Sequence, residues 1–244
     1  IGLIGTGWIG ATLLSQLQEA QKRLLESKID LRVRALANSK AMLLADAGLD
    51  LKNWKSDFEK KSVSLDLEKF AKHVKAEHLP HAVIIDCTAS ESIAQVYPHW
   101  LAQGIHIITP NKKANTSSMD FYKKLKATAY RHQKHFLYET TVGAGLPIIN
   151  TLRDLVQTGD QILEIEGILS GTLSFLFNTF SPEKPFSQVV LEAKSKGYTE
   201  PDPRDDLSGL DVARKLVILA REAGIRIELQ DVQISGLVPD ELKK

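Results

Sequence analysis

Short apolar runs alternate with helical stretches along most of this chain. Ile1 to Ile4 is a short buried run, the stretch Gly5 to Gly10 follows at once, and Ala11 to Leu25 repeats its apolar positions with helical period. Leu31, Val33, Ala35 and Ala37 alternate, so Asp30 to Ala37 reads as a second strand. Ala41 to Lys75 reads as helix and loop, with Trp54 and Phe58 as core residues. Ala82 to Asp86 is a buried strand, Ile93 to Ala102 a helix and His106 to Thr109 a strand. Ser117 to Lys134 reads as an amphipathic helix, His135 to Glu139 as a strand and Leu146 to Gln157 as a helix. Strands alternating with helices predict a parallel, doubly wound sheet over residues 1–145. From 146 to 244 the rhythm changes. Ile162 to Leu169 alternates apolar and acidic residues as a half-exposed strand does. Ser170-Gly171-Thr172 opens a helix to Phe180, and Phe186 to Lys196 and Leu207 to Ala223 read as helices. Pro201 and Pro203 forbid a helix between the last two, and Asp205 and Asp206 are expected to cap the last. This part reads as an α+β substrate domain, with the active site in the cleft between the two domains.

The glycines give the first domain its chemistry. Gly5-Thr6-Gly7-Trp8-Ile9-Gly10 is G-x-G-x-x-G between a strand and a helix. Gly5 permits the tight turn, Gly7 lets backbone approach a pyrophosphate, and Gly10 lets helix and strand pack closely. The helix N-terminus presents N–H groups and positive dipole to the phosphates. The domain is therefore expected to be a Rossmann-type nucleotide-binding domain. A strict NAD site ends its second strand on an acid that holds the ribose 2′-hydroxyl. Here the end is Asn38-Ser39-Lys40, with no carboxylate to repel a 2′-phosphate and with Lys40 or Arg34 available to meet one. The reading leans to NADP(H), with NAD left open; Lys40 reads equally well as a solvated lysine. Thr88 and Ser90 follow the strand ending at Asp86, where ligands of open α/β sheets bind. Cys87 reads as a structural thiol, since no base lies near it in sequence. Lys112 and Lys113 follow another strand end and read, on their own, as surface lysines. Beyond Glu139, Gly143 and Gly145 form a bent loop whose carbonyls suit a small hard cation, or equally a hinge.

Bulk numbers exclude more than they identify. The 244 residues are 43% hydrophobic and 25% charged with a formal net charge of +1, which gives no nucleic-acid surface. No run of about 18 apolar residues suggests a membrane span, and no signal peptide is visible. Cys87 is the single cysteine, so no intrachain disulfide forms, and a cytoplasmic location is expected. None of the seven histidines has a partner spaced for zinc.

The densest chemistry lies between Ala193 and Lys215. Asp211 and Lys215 are four apart and share one helical face, and Glu200 stands on the turn before them. Two carboxylates and an amine can grip a zwitterionic amino acid and leave a lysine for proton transfer. The set Ala193, Gly197, Tyr198, Thr199, Asp202, Pro203, Asp206, Leu207, Gly209, Asp211 and Lys215 resembles the signature of homoserine dehydrogenases at its fixed spacings. Thr109-Pro110-Asn111-Lys112-Lys113 and Gly167 to Thr172 match the family's strings as well, and the resemblance runs from Gly5 to about Ile227.

The resemblance implies NADP(H)-dependent interconversion of L-homoserine and L-aspartate 4-semialdehyde, in the pathway to threonine, methionine and isoleucine. It assigns proton transfer to Lys215, with Lys113 in the active site beside the substrate oxygen and the cofactor. Glu200 and Asp211 hold the substrate ammonium, and Gly197 joins the glycines as a cofactor contact. It also implies a monovalent cation, sodium, on Glu139, Val142, Ala144 and Leu146. The strings Ala37 to Lys40 and Asn115 to Met119 look most like the form fused behind an aspartate kinase, so a kinase domain is expected before Ile1. Family members continue past residue 244, so the chain reads as truncated at both ends, with little turnover by itself. A homo-oligomer is expected. Two other readings stay open: another NADP-dependent reductase of amino-acid aldehydes, and a non-catalytic nucleotide-binding regulatory module.

Overall fold

A computed structural model describes residues 1–199, 202–239 and 241. Gly2–Ile4 forms β1, buried throughout. The chain leaves it through Gly5 at φ +94°, a conformation that L side chains rarely adopt. Trp8–Glu26 forms α1. Gly10, in its first turn, lies so close to the strand exit that a Cβ there would sit 2.0 Å from the Gly5 carbonyl oxygen. β2 (Ala35–Ala37) runs parallel to β1, while β3 (Ala41–Leu44) turns back antiparallel and β4 (Val63–Ser64) pairs at the edge. On the other side β5 (Val83–Asp86), β6 (His106–Ile108) and β7 (Phe136–Leu137) continue parallel. The seven strands stand in the order β4-β3-β2-β1-β5-β6-β7. The winding reverses between β1 and β5, and ligands of open sheets sit at such a point, beyond the strand C-termini.

Neighbouring residues of β1 face opposite sides of the sheet and show both being covered. Leu3 packs with Leu14 of α1 and with Trp54 and Phe58 of α2 (Trp54–Lys61), the two aromatics the sequence places in the core. Gly2 faces α3 (Leu67–Val74), where Phe70 and Val74 come so close that no side chain fits. Further along the chain come α4 (Glu91–Gln95), α5 (Tyr97–Ala102), α6 (Lys113–Thr116) and α7 (Met119–Arg131).

The chain divides into two compact units, one of residues 1–114 and 120–141, the other of 115–119 and 142–244. In the second, α8 (Ile149–Gln157) packs against α12 (Leu210–Glu222), and α9 (Gly171–Thr179) against α10 (Phe186–Ser195), with α11 (Pro203–Leu207) between α10 and α12 in sequence. Leu176, Val189 and Ala193 form the core of the α9–α10 pair, flanked by Phe175, Phe186 and Leu207.

Several expectations are corrected. The second strand, expected over Asp30 to Ala37, is confined to Ala35–Ala37, all buried. Ala41–Leu44 and Val63–Ser64 are strands, because the Asn38 side chain accepts the N–H groups of Lys40 and Ala41 and turns the chain into a hairpin. The helix of Ile93 to Ala102 is broken at Val96, where α5 restarts with a proline in its first turn. The strand expected to reach Glu139 stops at Leu137 and passes into the 3-10 turn Glu139–Thr141. Residues 162–169 are not a strand, and Leu163 is 93% and Ile168 75% exposed. Alternation makes a strand only where a neighbour completes the ladder, and no described residue of the second unit is in a strand.

Candidate active site

In the first unit the loops beyond β1, β2, β5 and β6 carry the candidate residues. The loops after β1 and β5 touch: a Cβ on Gly5 would lie 2.9 Å from the backbone carbon of Cys87. Gly7 caps α1 through its backbone, and a Cβ on it would meet nothing within 4 Å, which leaves the open backbone a pyrophosphate needs. Thr6 lies in this loop, and Trp8 and Ile9 stand exposed at the start of α1. Ser39 and Lys40 are exposed at the tip of the β2–β3 hairpin, adjoining the same loop, since the Gly5 N–H donates to Ala37 O at 2.8 Å. Asn38 is engaged in forming that turn. Arg34 is not available to a phosphate, contrary to expectation. It is buried, and its guanidinium donates to the carbonyls of Asp46 at 3.0 Å and His73 at 2.7 Å.

A buried polar cluster that sequence reasoning missed ties the loops after β5 and β6. Asp86 ends β5 fully buried. Its carboxylate accepts from the Tyr97 hydroxyl, from Asn111 Nδ2 at 3.0 Å and from the Thr88 N–H at 2.8 Å. Burial, and then the Asp86 charge, hold the Tyr97 hydroxyl well above its ordinary pKa, so it stays a donor. Asn111 also donates to Ser90 O at 2.9 Å and accepts from the Lys113 N–H at 3.0 Å. Ser90 caps α4, and Lys113 opens α6. The available signal was a carboxylate closing a buried strand, since a buried charge needs partners.

Cys87 lies beside this cluster, half-buried. Burial, then the Asp86 charge, push its thiol up to about 11. The thiolate is the reactive form, so alkylation of Cys87 by iodoacetamide at pH 8 is expected about a hundredfold slower than that of glutathione. The rate should climb about tenfold per pH unit and still be climbing at pH 10, where the thiol is mostly protonated. Peptide mapping by mass spectrometry measures it, and labelling at the free-thiol rate would remove Cys87 from its structural role.

In the second unit three separate stretches converge. The Ala193–Gly197 spacing is a helix ending: Gly197 N–H bonds Lys194 O and Tyr198 N–H bonds Ala193 O, with Gly197 at φ +72°. The Thr172 hydroxyl then lies 2.6 Å from Tyr198 O and 2.9 Å from the Asp206 carboxylate, joining the 167–172 string to the signature. Pro203 starts α11 rather than preventing it, at the first position where a proline costs no hydrogen bond. Asp202 caps it, and Arg204 holds the Asp202 carboxyl down to about 2. Asp205 and Asp206, expected to cap the last helix, lie inside α11 instead, and α12 has no side-chain cap. Gly209, at φ +77°, then begins α12. Lys215 Nζ donates to Leu169 O at 2.6 Å and pairs with Asp211 at 2.8 Å, its side chain only 17% exposed. This is not an ordinary exposed helical ion pair, because the ammonium also anchors the residue before the Ser170–Thr172 turn.

Of the other assigned residues, Glu200 lies outside the described residues. Glu139 belongs to the first unit, and Val142, Ala144 and Leu146 to the second. Gly143 and Ala144 both have positive φ, so the loop is sharply bent as expected. Sequence reasoning also missed Arg221. Its buried guanidinium bonds the carbonyls of Asn115 and Ser117 at 2.8 Å each, Ile227 O at 2.9 Å and the Glu228 carboxylate at 3.0 Å.

A largely parallel sheet with a glycine loop at its switch point defines the first unit as a dinucleotide-binding domain of the kind used by nicotinamide-dependent oxidoreductases. Residues 5–139 match the family model described as the NAD binding domain of homoserine dehydrogenase, and residues 147–243 match that of homoserine dehydrogenase itself. The chain belongs to the homoserine dehydrogenase family. A chloroplastic bifunctional aspartokinase/homoserine dehydrogenase of Daucus carota is 54% identical over 100% of this chain, which spans 27% of that protein's length. A homoserine dehydrogenase of Paracoccidioides brasiliensis is 42% identical over 100% of this chain and 69% of its own. The crystal structure of a Candida auris protein of unknown function is 38% identical with a TM-score of 0.85, covering 99% of this chain and 67% of that one.

Proposed function

We propose that this chain is the dehydrogenase part of a longer protein, fused to an aspartate kinase as in the carrot relative, and that it interconverts L-homoserine and L-aspartate 4-semialdehyde with NADP(H). The observation that carries the reading is Lys215, an ammonium held beside Asp211 on one side and the Ser170–Thr172 turn on the other. NADP(H), when bound, supplies or accepts the hydride. Gly5, Gly7 and Gly10 would hold its pyrophosphate, Ser39 and Lys40 its 2′-phosphate, and Thr88 and Ser90 the part lying along the strand ends. Asp211 and Glu200 bind the substrate ammonium. Lys215 gives a proton to the substrate oxygen during reduction and removes it during oxidation. Lys113 polarises the same oxygen. The bent loop at Val142, Ala144 and Leu146, with Glu139, is the proposed sodium site, and the active protein is proposed to be a homo-oligomer.

The test is substrate and cofactor selectivity in the full-length protein. L-homoserine should be oxidised, whereas 4-hydroxybutyrate, which lacks the ammonium, should be a poor substrate. NADP⁺ should be preferred to NAD⁺, and Lys40→Glu should lower kcat/KM for NADP⁺ by about tenfold, the equivalent of about 1.4 kcal/mol. Equal use of 4-hydroxybutyrate would sink the amino-acid reading, and an unchanged NADP⁺ value in Lys40→Glu would sink the 2′-phosphate site.

A further inference from the structure

We infer that Asn111 is a positioning residue of the nicotinamide half of the site, setting the separation between the Thr88–Ser90 turn and Lys113. The inference rests on the function proposed above for what those two loops hold. Its geometry lies wholly within the first unit.

Asn111 is buried, and its amide has two N–H donors and one carbonyl acceptor. Each is directed to a different place. One N–H meets the Asp86 carboxylate at the end of β5 at 3.0 Å. The other meets Ser90 O, at the cap of α4, at 2.9 Å. The carbonyl receives the Lys113 N–H at 3.0 Å. A single side chain thus ties one backbone atom of each loop to the sheet. Asn111 is itself held, its own N–H donating to Thr109 Oγ1 at 2.8 Å, while that hydroxyl donates to Asp86 O at 2.8 Å. An aspartate in its place would set acceptor against acceptor at Asp86 and Ser90, and an apolar residue would take one hydrogen bond each from the Asp86 carboxylate, Ser90 O and the Lys113 N–H.

A need for stability alone does not explain this arrangement, since a well-packed apolar contact stabilises a core as well as a buried polar network does. The network's location explains it better. Loops beyond strand ends are ordinarily the variable and mobile parts of a sheet protein. Here one of them stands at the switch point between β1 and β5, where sheets of this kind bind dinucleotides, and the other follows the next strand along; reactive groups misplaced by about 1 Å lose about a hundredfold in rate. Tyr97 provides an internal contrast. Its hydroxyl reaches Asp86, lies 3.2 Å from Thr109 Oγ1 and also meets the Asn111 side chain, and none of these contacts is to a loop backbone atom. It braces Asp86 from the core side and leaves the cross-tie through Asn111 intact.

The experiment compares Asn111→Ala and the milder Asn111→Ser with Tyr97→Phe in the full-length protein. Thermal midpoint, NADPH Kd by fluorescence, and kcat and KM for L-homoserine are measured for each. All three variants should lose stability to a similar degree. Only the Asn111 variants should lose function at temperatures where all are folded, with kcat down by about thirtyfold or more and NADPH bound about tenfold more weakly. Tyr97→Phe should stay within about threefold of the wild type. The inference is overturned if the folded Asn111 variants match Tyr97→Phe in both kcat and Kd. If the wild type does not oxidise homoserine, the proposed function fails, and the NADPH Kd comparison still decides the role of Asn111.

Discussion

Replacing Lys215 with alanine should lower turnover of the full-length protein at least about a hundredfold, with a smaller effect on NADPH binding. Lys215 closes its family's signature string, in the second turn of α12, yet its position is set by two contacts distant from each other in sequence. Asp211, one turn earlier on α12, holds the ammonium at 2.8 Å, and Leu169 O accepts from it at 2.6 Å. Alanine removes both contacts along with the proton. Lys215→Arg separates these roles. A guanidinium keeps the charge and can still reach a carboxylate, but it does not release a proton in proteins. Arginine should therefore restore stability without restoring turnover. Rescue of turnover by arginine would make Lys215 a binding charge, and a loss of only two- or threefold in the alanine variant would remove it from the chemistry.

The largest expected effect on stability is at Arg221. Its side chain is fully buried, and its guanidinium satisfies three backbone carbonyls and Glu228 at once. Glu228 in turn accepts the Met119 N–H at 2.7 Å. The segment of residues 115–119, which belongs to the second unit although it is distant from it in sequence, is thus tied to α12 by this side chain. Arg221→Met fills much of the volume but leaves the carbonyls without donors and the carboxylate without its cation. Breaking a fully buried pair costs about 3–5 kcal/mol; with Glu228 34% exposed the lower end, about 3 kcal/mol, is expected. For a protein of this size that corresponds to a thermal midpoint lower by roughly 10 °C. Thermal denaturation of wild type and variant measures it, and a change of under about 1 kcal/mol would show that the clamp carries little.

Legibility followed the range of the interactions. The β1–glycine–α1 turn could be read from sequence because its requirements are local: a positive φ at Gly5 and no room for a Cβ at Gly10. The signature was legible for similar reasons, since Ala193 and Gly197 close a helix and Asp211 and Lys215 share one turn. Ala41–Leu44 was misread because four apolar residues fit a strand or a helix equally well, and the Asn38 turn that decides between them is a side-chain effect. Residues 162–169 show the converse, a strand-like alternation with no described neighbour to pair with. Asn111 and Arg221 were not legible at all. Beside nearer partners, Asn111 binds Asp86 and Arg221 binds Asn115, 25 and 106 residues away in sequence, and nothing in local spacing distinguishes Arg221 from Arg214 on the same helix.

The most direct test of the whole account is NADPH oxidation by L-aspartate 4-semialdehyde, followed at the nicotinamide absorbance in the full-length protein alongside its Lys215→Ala variant. The account predicts steady oxidation in the first and almost none in the second, with NADPH still bound by both. Tight NADPH binding by the wild type with no oxidation when the semialdehyde is added would contradict it.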